Sequence, residues 1–143
     1  MADGGNAVSE LVWNAAYDSG VEEIDLQHRY FLALINRLRS ELASCADANY
    51  RQRLLNELAK YAIFHFVSEE NMMIKFAYPD ADRHRMLHIE LIDQLSSRMQ
   101  AKTYEPLFAF LVDWFIQHTT TEDHLIGEFV RKHAATRELA SDS

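Results

Sequence analysis

The sequence has little of what disulfide-bonded, thiolate-metal and turn-rich β proteins require. A single cysteine, Cys45, excludes an intrachain disulfide and any zinc or iron–sulfur site built from several thiolates. Only two prolines and four glycines are present, so long stretches lack the residues that interrupt helices, which favours helices over a β-sandwich. Basic residues number 14 against 22 acidic ones, and the resulting net charge of −8 disfavours nucleic acid as a partner.

Long apolar runs are also missing. The longest, Leu107–Val112, is far too short to cross a bilayer, so no membrane association is expected. The acidic N-terminus has no apolar segment of the kind found in secretory signals, which favours a cytoplasmic location. The 143 residues, 48% hydrophobic and 25% charged, are typical of one globular domain.

Apolar residues recur at spacings of three, four and seven along four segments. This periodicity predicts an all-α fold, an antiparallel up-down-up-down four-helix bundle with an N-terminal arm. We expect helices from about Glu22 to Ala43, from an N-cap at Asp47 to about Phe76, over about 81–100, and from near Thr103 towards Arg131. Residues 1–20 would form an arm packed on the bundle, residues 21–133 the bundle, and residues 134–143 a frayed polar tail.

The most informative excess is in histidine, of which there are seven. Five of them fall on the core-facing side of the predicted helices: His28, His65, His84, His88 and His118. His65 and Glu69 are four residues apart, as are His84 and His88, so each pair shares one helix face. Burying an imidazole without a partner would cost on the order of 2 kcal/mol, and a domain whose stability is roughly 5–15 kcal/mol could not carry five such costs. A shared metal ion would supply the missing partner.

Other histidine sites fit this pattern less well. His84 and His88 resemble the paired histidines of a zinc protease, but Arg85 stands where the catalytic Glu is required. A ferritin-like di-iron site requires Glu-x-x-His repeats, which the chain lacks. A haem would use two histidines and leave three unexplained.

Several motifs follow one another from Trp13 to Arg131, over nearly the whole chain. They are Trp13-Asn14, Ile24-Asp25-x-Gln27-His28, Ile35-Asn36-x-Leu38, His65-Phe66-x-x-Glu69-Glu70, Tyr78-Pro79, His84-x-x-x-His88, and Trp114-x-x-x-His118 followed by Asp123. Taken together, these motifs resemble the hemerythrin family, and most closely its bacterial and archaeal members.

The resemblance implies a cofactor of two iron ions with a bridging oxo or hydroxo group. Its implied metal ligands are His28, His65, Glu69, His84, His88, His118 and Asp123. Three histidines (His84, His88 and His118) would bind one iron and two (His28 and His65) the other, with both carboxylates bridging. The second iron would then be five-coordinate and open. The resemblance therefore implies reversible dioxygen binding, for storage, delivery or sensing.

The choice of Asp123 as a ligand depends on helix geometry. It lies five residues after His118, which on a regular α-helix rotates it off the histidine's face, whereas Glu122 has the simple four-residue spacing. The family pattern favours Asp123, and a local π-type widening of the fourth helix would bring it round. The remaining histidines are not implied as ligands. We expect His124 to face solvent and His133 to be a favourable cation near a helix C-terminus.

The resemblance also places a ligand pocket around the open iron, formed by Phe31, Phe66, Trp114, Phe115 and Thr119. The four aromatic residues suit a plain core equally well. Thr119 stands where the family usually has an aliphatic residue. A hydroxyl there would donate a hydrogen bond to the ligand or guide water inward, and either effect disfavours long-lived oxygen storage.

Three rival functions stay open from the sequence. The first is a di-iron enzyme acting on peroxide or nitric oxide, and the second is a sensory module that signals to a partner in trans. Small anions such as azide are further candidate ligands of the same centre. The third rival is a purely structural bundle that binds no metal.

Overall fold

The computed structural model describes residues 10–100 and 103–142, with side chains as far as residue 134. Its helices are α1 (Glu22–Ser44), α2 (Ala48–Lys75), α3 (Ala81–Met99), α4 (Glu105–Gln117) and α5 (Asp123–Asp142). A π-helical turn, His118–Glu122, joins α4 to α5, so the last two form one continuous fourth helix. Since α1 packs on α2 and α4, and α3 packs on the same two helices, the four-helix bundle is confirmed. The described residues include no strand.

Helix α1 shows how the apolar periodicity becomes a core. Its apolar residues at spacings of three, four and seven are all buried: Ile24, Phe31, Leu34, Ile35, Leu38 and Leu42. Facing them are apolar side chains of the other three helices, among them Leu58, Leu91, Leu111 and Phe115. His28 follows the same face of α1 into the interior. One helix face therefore carries both the packing residues and a histidine.

The boundaries of α2 follow from local hydrogen bonds. At its start the Asp47 carboxylate accepts from the backbone N–H of Tyr50 at 2.9 Å, which confirms the predicted N-cap. At its end Ala77 adopts a φ of 53°, in the left-handed region. The N–H groups of Ala77 and Tyr78 then return to the carbonyls of Ile74 and Met73, as in a Schellman motif. Pro79, which has no backbone N–H and cannot continue the helix, follows directly.

The described part of the N-terminal arm is tied to α1. The side-chain amide of Asn36 accepts from the N–H of Leu11 and donates to its carbonyl, at 2.9 and 2.7 Å. Tyr17 is buried with its ring edge-on to Phe115, at 5.6 Å between centroids. The Asp25 carboxylate accepts from the N–H and hydroxyl of Ser19, both at 2.8 Å. Residues 1–9 of the predicted arm lie outside the described residues.

The C-terminal part of the fourth helix differs from the prediction. Helix α5 continues to Asp142, whereas the sequence pattern predicted an end near Arg131 and a frayed tail over residues 134–143. No proline or glycine follows Gly127, so nothing in the local sequence stops the helix. His133 is consequently not near a helix C-terminus. Within the described ranges, no helix is long and apolar enough to span a membrane.

Candidate metal centre

The seven side chains singled out as metal ligands come together inside the bundle. Helix α1 contributes one, α2 and α3 contribute two each, and the fourth helix contributes two across its π-helical turn. None is more than 6% exposed. We call His84, His88 and His118 the three-histidine set, and His28 and His65 the two-histidine set. Glu69 lies beside both sets and belongs to a group of candidate ligands with each. Within each of these two groups the ligating nitrogen and oxygen atoms lie within 4.8 Å of one another.

The Glu69 carboxylate divides its two oxygens between the sets. Its Oε1 lies 2.7 Å from His84 Nε2 and 3.0 Å from His88 Nε2. Its Oε2 lies 3.6 Å from His65 Nε2 and 3.9 Å from His28 Nε2. Glu69 therefore stands between the sets with one oxygen towards each.

The Asp123 carboxylate repeats this division from the opposite helix. Its Oδ1 lies 3.2 Å from His84 Nε2 and 3.1 Å from His118 Nε2, both in the three-histidine set. Its Oδ2 lies 2.9 Å from His28 Nε2, in the two-histidine set. The site thus contains two bridging carboxylates, with three imidazole nitrogens at one end and two at the other.

The π-helical turn explains how Asp123 reaches this position. The backbone N–H of Asp123 donates to the carbonyl of His118, five residues earlier, so the predicted widening of the helix is confirmed. Glu122, the alternative from simple spacing, instead accepts two hydrogen bonds from Arg83 at 2.7 and 2.9 Å, at the surface. The hydroxyl of Thr120 donates to the carbonyl of Ile116 at 2.7 Å, a contact that commonly accompanies bent helices.

Hydrogen bonding within the site is incomplete. In the described part of the chain, four buried polar atoms have no hydrogen-bond partner: His28 Nδ1, Glu69 Oε2, His118 Nε2 and Asp123 Oδ1. Three of them, Glu69 Oε2, His118 Nε2 and Asp123 Oδ1, are among the atoms whose distances within the site are given above. An unsatisfied buried polar atom costs about 1–3 kcal/mol, and a metal ion would remove that cost. A donor set of imidazole nitrogens and carboxylate oxygens without thiolates suits a first-row metal such as iron. The residues therefore fit a two-metal centre.

Ionisation within the site is strongly perturbed. Burial and the nearby Asp123 oppose ionisation of Glu69, yet hydrogen bonds from His84 and His88 outweigh them and lower its pKa to about 2. Burial opposes ionisation of Asp123 as well, but the close imidazoles hold its pKa well below the ordinary range. Burial lowers the pKa of His65 to about 4. For His84 burial acts in the same direction, but the two carboxylates raise the pKa to about 10. Because histidine ligands must be deprotonated, a metal ion would displace the His84 proton on binding.

Two outer residues orient one histidine of each set, and sequence reasoning missed their role. His65 Nδ1–H donates to the side-chain oxygen of Gln27 at 2.8 Å, and His88 Nδ1–H donates to the Glu70 carboxylate at 2.9 Å. Both bonds leave Nε2 directed into the site. The available signal was adjacency, since Gln27 precedes one predicted ligand and Glu70 follows another.

The predicted pocket residues divide between the two ends. Phe31 lies 6.1 Å from His65, and Phe115 lies 6.1 Å from His28, so both border the two-histidine set. Phe66 stacks on His88 at 4.0 Å and also lies 5.6 Å from His65. Thr119 is buried next to His118 in the π-helical turn.

Trp114 contacts residues of both ends, since its ring lies 6.4 Å from that of Phe31, which borders the two-histidine set. Its ring stacks on His118 at 4.5 Å, in the three-histidine set. Of the two histidines not implied as ligands, His124 is half-buried, and His133 is exposed and stacks on Phe129 at 3.8 Å.

Several known proteins are similar to this chain in sequence and fold. The family model of the hemerythrin HHE cation binding domain matches residues 19–139. A bacteriohemerythrin of Stenotrophomonas maltophilia is 27% identical over 128 residues, covering 86% of this chain and 83% of its own length. A myohemerythrin of Riftia pachyptila is 26% identical over 110 residues, covering 77% and 85% respectively. The crystal structure of a wild-type hemerythrin matches with a TM-score of 0.77 and 26% identity, covering 85% of this chain and 98% of that one. The chain belongs to the hemerythrin family.

Proposed function

We propose that this protein holds two iron ions with a bridging oxo or hydroxo group, and that it binds dioxygen reversibly at this centre. One iron would be held by the three-histidine set and the other by the two-histidine set. Storage, delivery and sensing of oxygen are the roles such binding would serve. The cytoplasmic location expected from the sequence stays a prediction.

The proposal is carried by one observation, the way in which Glu69 and Asp123 divide their oxygens between unequal sets of histidines. Two carboxylates shared between three nitrogens and two nitrogens supply one end with fewer ligands than the other. The end with fewer ligands is where a small external molecule has room to bind. A symmetric ligand set would not favour one end in this way.

The chain's own residues would then perform three tasks. The five imidazoles hold the ions, and the two carboxylates offset part of the ionic charge inside a buried site. Phe31 and Phe115 border the two-histidine end with apolar surface and keep bulk water away from it. When bound, a pair of ferrous ions would supply the two electrons on which reversible dioxygen binding depends.

The first experiment measures iron per chain in the purified protein, in His28→Ala and in the matched control His133→Ala. We expect about two irons per chain in the wild type and the control, because His133 is exposed and outside the site. We expect fewer in His28→Ala, which removes a histidine of the smaller set. A value well under two in every sample would instead favour a purely structural bundle.

A second experiment separates carriage from catalysis. A diferrous sample is exposed to dioxygen and then to vacuum while its absorption spectrum is followed. A charge-transfer band that appears with dioxygen and disappears under vacuum supports reversible binding. Immediate conversion to the diferric form, with catalytic consumption of peroxide, would overturn it in favour of the enzyme hypothesis. Nitric oxide and azide titrations identify which other small ligands the centre accepts.

A further inference from the structure

The two outer hydrogen bonds of the site differ in charge. On the three-histidine side, His88 Nδ1–H donates to a carboxylate, that of Glu70. On the two-histidine side, His65 Nδ1–H donates to a neutral amide, that of Gln27. The donor–acceptor distances, 2.9 and 2.8 Å, are nearly equal, so the two bonds orient their rings equally well. What distinguishes them is a full negative charge.

The amide on the two-histidine side is fixed in its orientation. Its nitrogen donates to the hydroxyl of Ser68 at 2.9 Å, which leaves its oxygen for His65. The backbone carbonyl of the same Gln27 accepts from the hydroxyl of Tyr61 at 2.7 Å. Gln27 is therefore a rigid, uncharged acceptor.

The carboxylate on the other side has apolar surroundings. Glu70 borders an open surface depression of about 210 Å³ whose other lining residues are mostly apolar: Ile63, Phe66, Val67, Ile89 and Ile92 together with His88. Its side chain is 25% exposed. Because most of this side chain is withdrawn from water and its oxygen lies 2.9 Å from His88 Nδ1, the charge of Glu70 acts on the His88 ring at close range.

We propose that Glu70 is a positioning residue that makes the three-histidine end better at stabilising the higher iron charge, while Gln27 orients His65 without adding charge. This inference rests on the proposed di-iron function. A carboxylate that accepts from the Nδ1–H of a metal-bound histidine makes Nε2 a stronger electron donor, whereas an amide mainly fixes the ring. The two ends would then differ in electron donation as well as in ligand number. The iron at the two-histidine end would be oxidised less readily, and this is also the iron with room for an external ligand.

The test exchanges the two acceptors in the iron-loaded full chain. Glu70→Gln keeps an acceptor oxygen but removes its charge, and Gln27→Glu adds a charge at the other end. The double variant Gln27→Glu with Glu70→Gln moves the charge without changing the net charge. Glu90→Gln, at an exposed position of α3, is the matched control for loss of one negative charge elsewhere. The readouts are iron affinity, midpoint reduction potential and the Mössbauer spectrum of the half-reduced centre.

We expect Glu70→Gln to weaken iron binding by about 10–100-fold and to favour the reduced state about tenfold, which is about 59 mV per electron. Gln27→Glu should shift the potential in the opposite direction. In the double variant the Mössbauer spectrum should show the ferric ion moving to the two-histidine end. Glu90→Gln should behave as the wild type.

An unchanged potential in Glu70→Gln would overturn the inference, because a residue that only orients His88 is fully replaced by glutamine. If that variant fails to fold or to load iron, Gln27→Glu decides by itself, and an unchanged or raised potential there counts against the inference. A wild-type protein that binds no iron refutes the proposed function instead. A wild-type protein that binds two irons, with variants whose iron affinity and reduction potential match it, refutes only the role of Glu70.

Discussion

Asp123 and Glu122 are adjacent in sequence, and exchanging each for its amide separates the ligand from its neighbour. Asp123→Asn removes the charge of a carboxylate that is 1% exposed and within 3.2 Å of three imidazole nitrogens. Glu122→Gln removes the charge of a carboxylate that is bound to Arg83 at the surface. The two variants have the same net charge, so any difference between them reports position alone.

The expected magnitudes follow from burial. Removing one partner of a buried charge cluster typically lowers the free energy of unfolding by about 3–5 kcal/mol. At about 2–4 °C per kcal/mol for a chain of this size, Asp123→Asn should lower the unfolding temperature of protein prepared without metal by about 6–20 °C. Its iron content should fall below two per chain, since one bridging ligand is lost. Glu122→Gln should retain its iron and unfold close to the wild-type temperature, because surface ion pairs contribute little.

The assay combines thermal unfolding followed by circular dichroism with iron analysis of the same samples. The reasoning would be refuted if Glu122→Gln lost iron while Asp123→Asn kept two per chain. That result would mean that the helix holds its α-helical register in the folded protein and that the π-helical turn does not select the ligand.

Three further predictions test the pocket, the charges and the fold. Thr119→Val, which removes a buried hydroxyl at nearly constant volume, should slow oxidation of the oxygenated protein to the diferric form, and an unchanged rate in air would count against a role for the hydroxyl. Protein prepared without metal should be most stable near pH 6.5. Below that pH the unfolded chain takes up the proton first, because burial lowers the folded pKa of His65 to about 4, and stability is lost as the pH falls. Above it, the pKa of His84 is raised to about 10 by the two carboxylates despite its burial, so stability is lost as the pH rises towards 10. Urea titrations showing stability that falls from pH 4 to 6.5 and rises from pH 6.5 to 10 would contradict both assignments. Ala77→Gly should raise the free energy of unfolding by about 1 kcal/mol, because glycine adopts a positive φ without strain, and a lower unfolding temperature would show that the turn is not strained.

The bundle could be predicted because its determinants are local and periodic. The inward positions of α1 repeat at helical spacing, and Asp47 carries the side chain that a helix N-terminus needs. The grouping of the histidines followed in the same way, because residues four apart on a helix share a face. Family resemblance was still required to prefer Asp123 over Glu122, since spacing alone favours the wrong face unless a π-helical turn is assumed.

Features that depend on tertiary packing could not be predicted. The acceptors Gln27 and Glu70 meet their histidines across helix interfaces, so their roles follow only from the packed bundle. The extension of α5 to Asp142 was missed for a different, local reason. The polar segment was expected to fray, but it contains no proline or glycine and continues as a helix.

The most direct measurement is an oxygen titration of the iron-loaded, diferrous protein, followed by its absorption spectrum, with iron quantified in the same sample. A centre held by unequal histidine sets predicts about two irons per chain and a charge-transfer band that grows to one dioxygen per iron pair. The band should disappear when oxygen is withdrawn. Two irons per chain without any band that reverses under vacuum would contradict reversible oxygen binding.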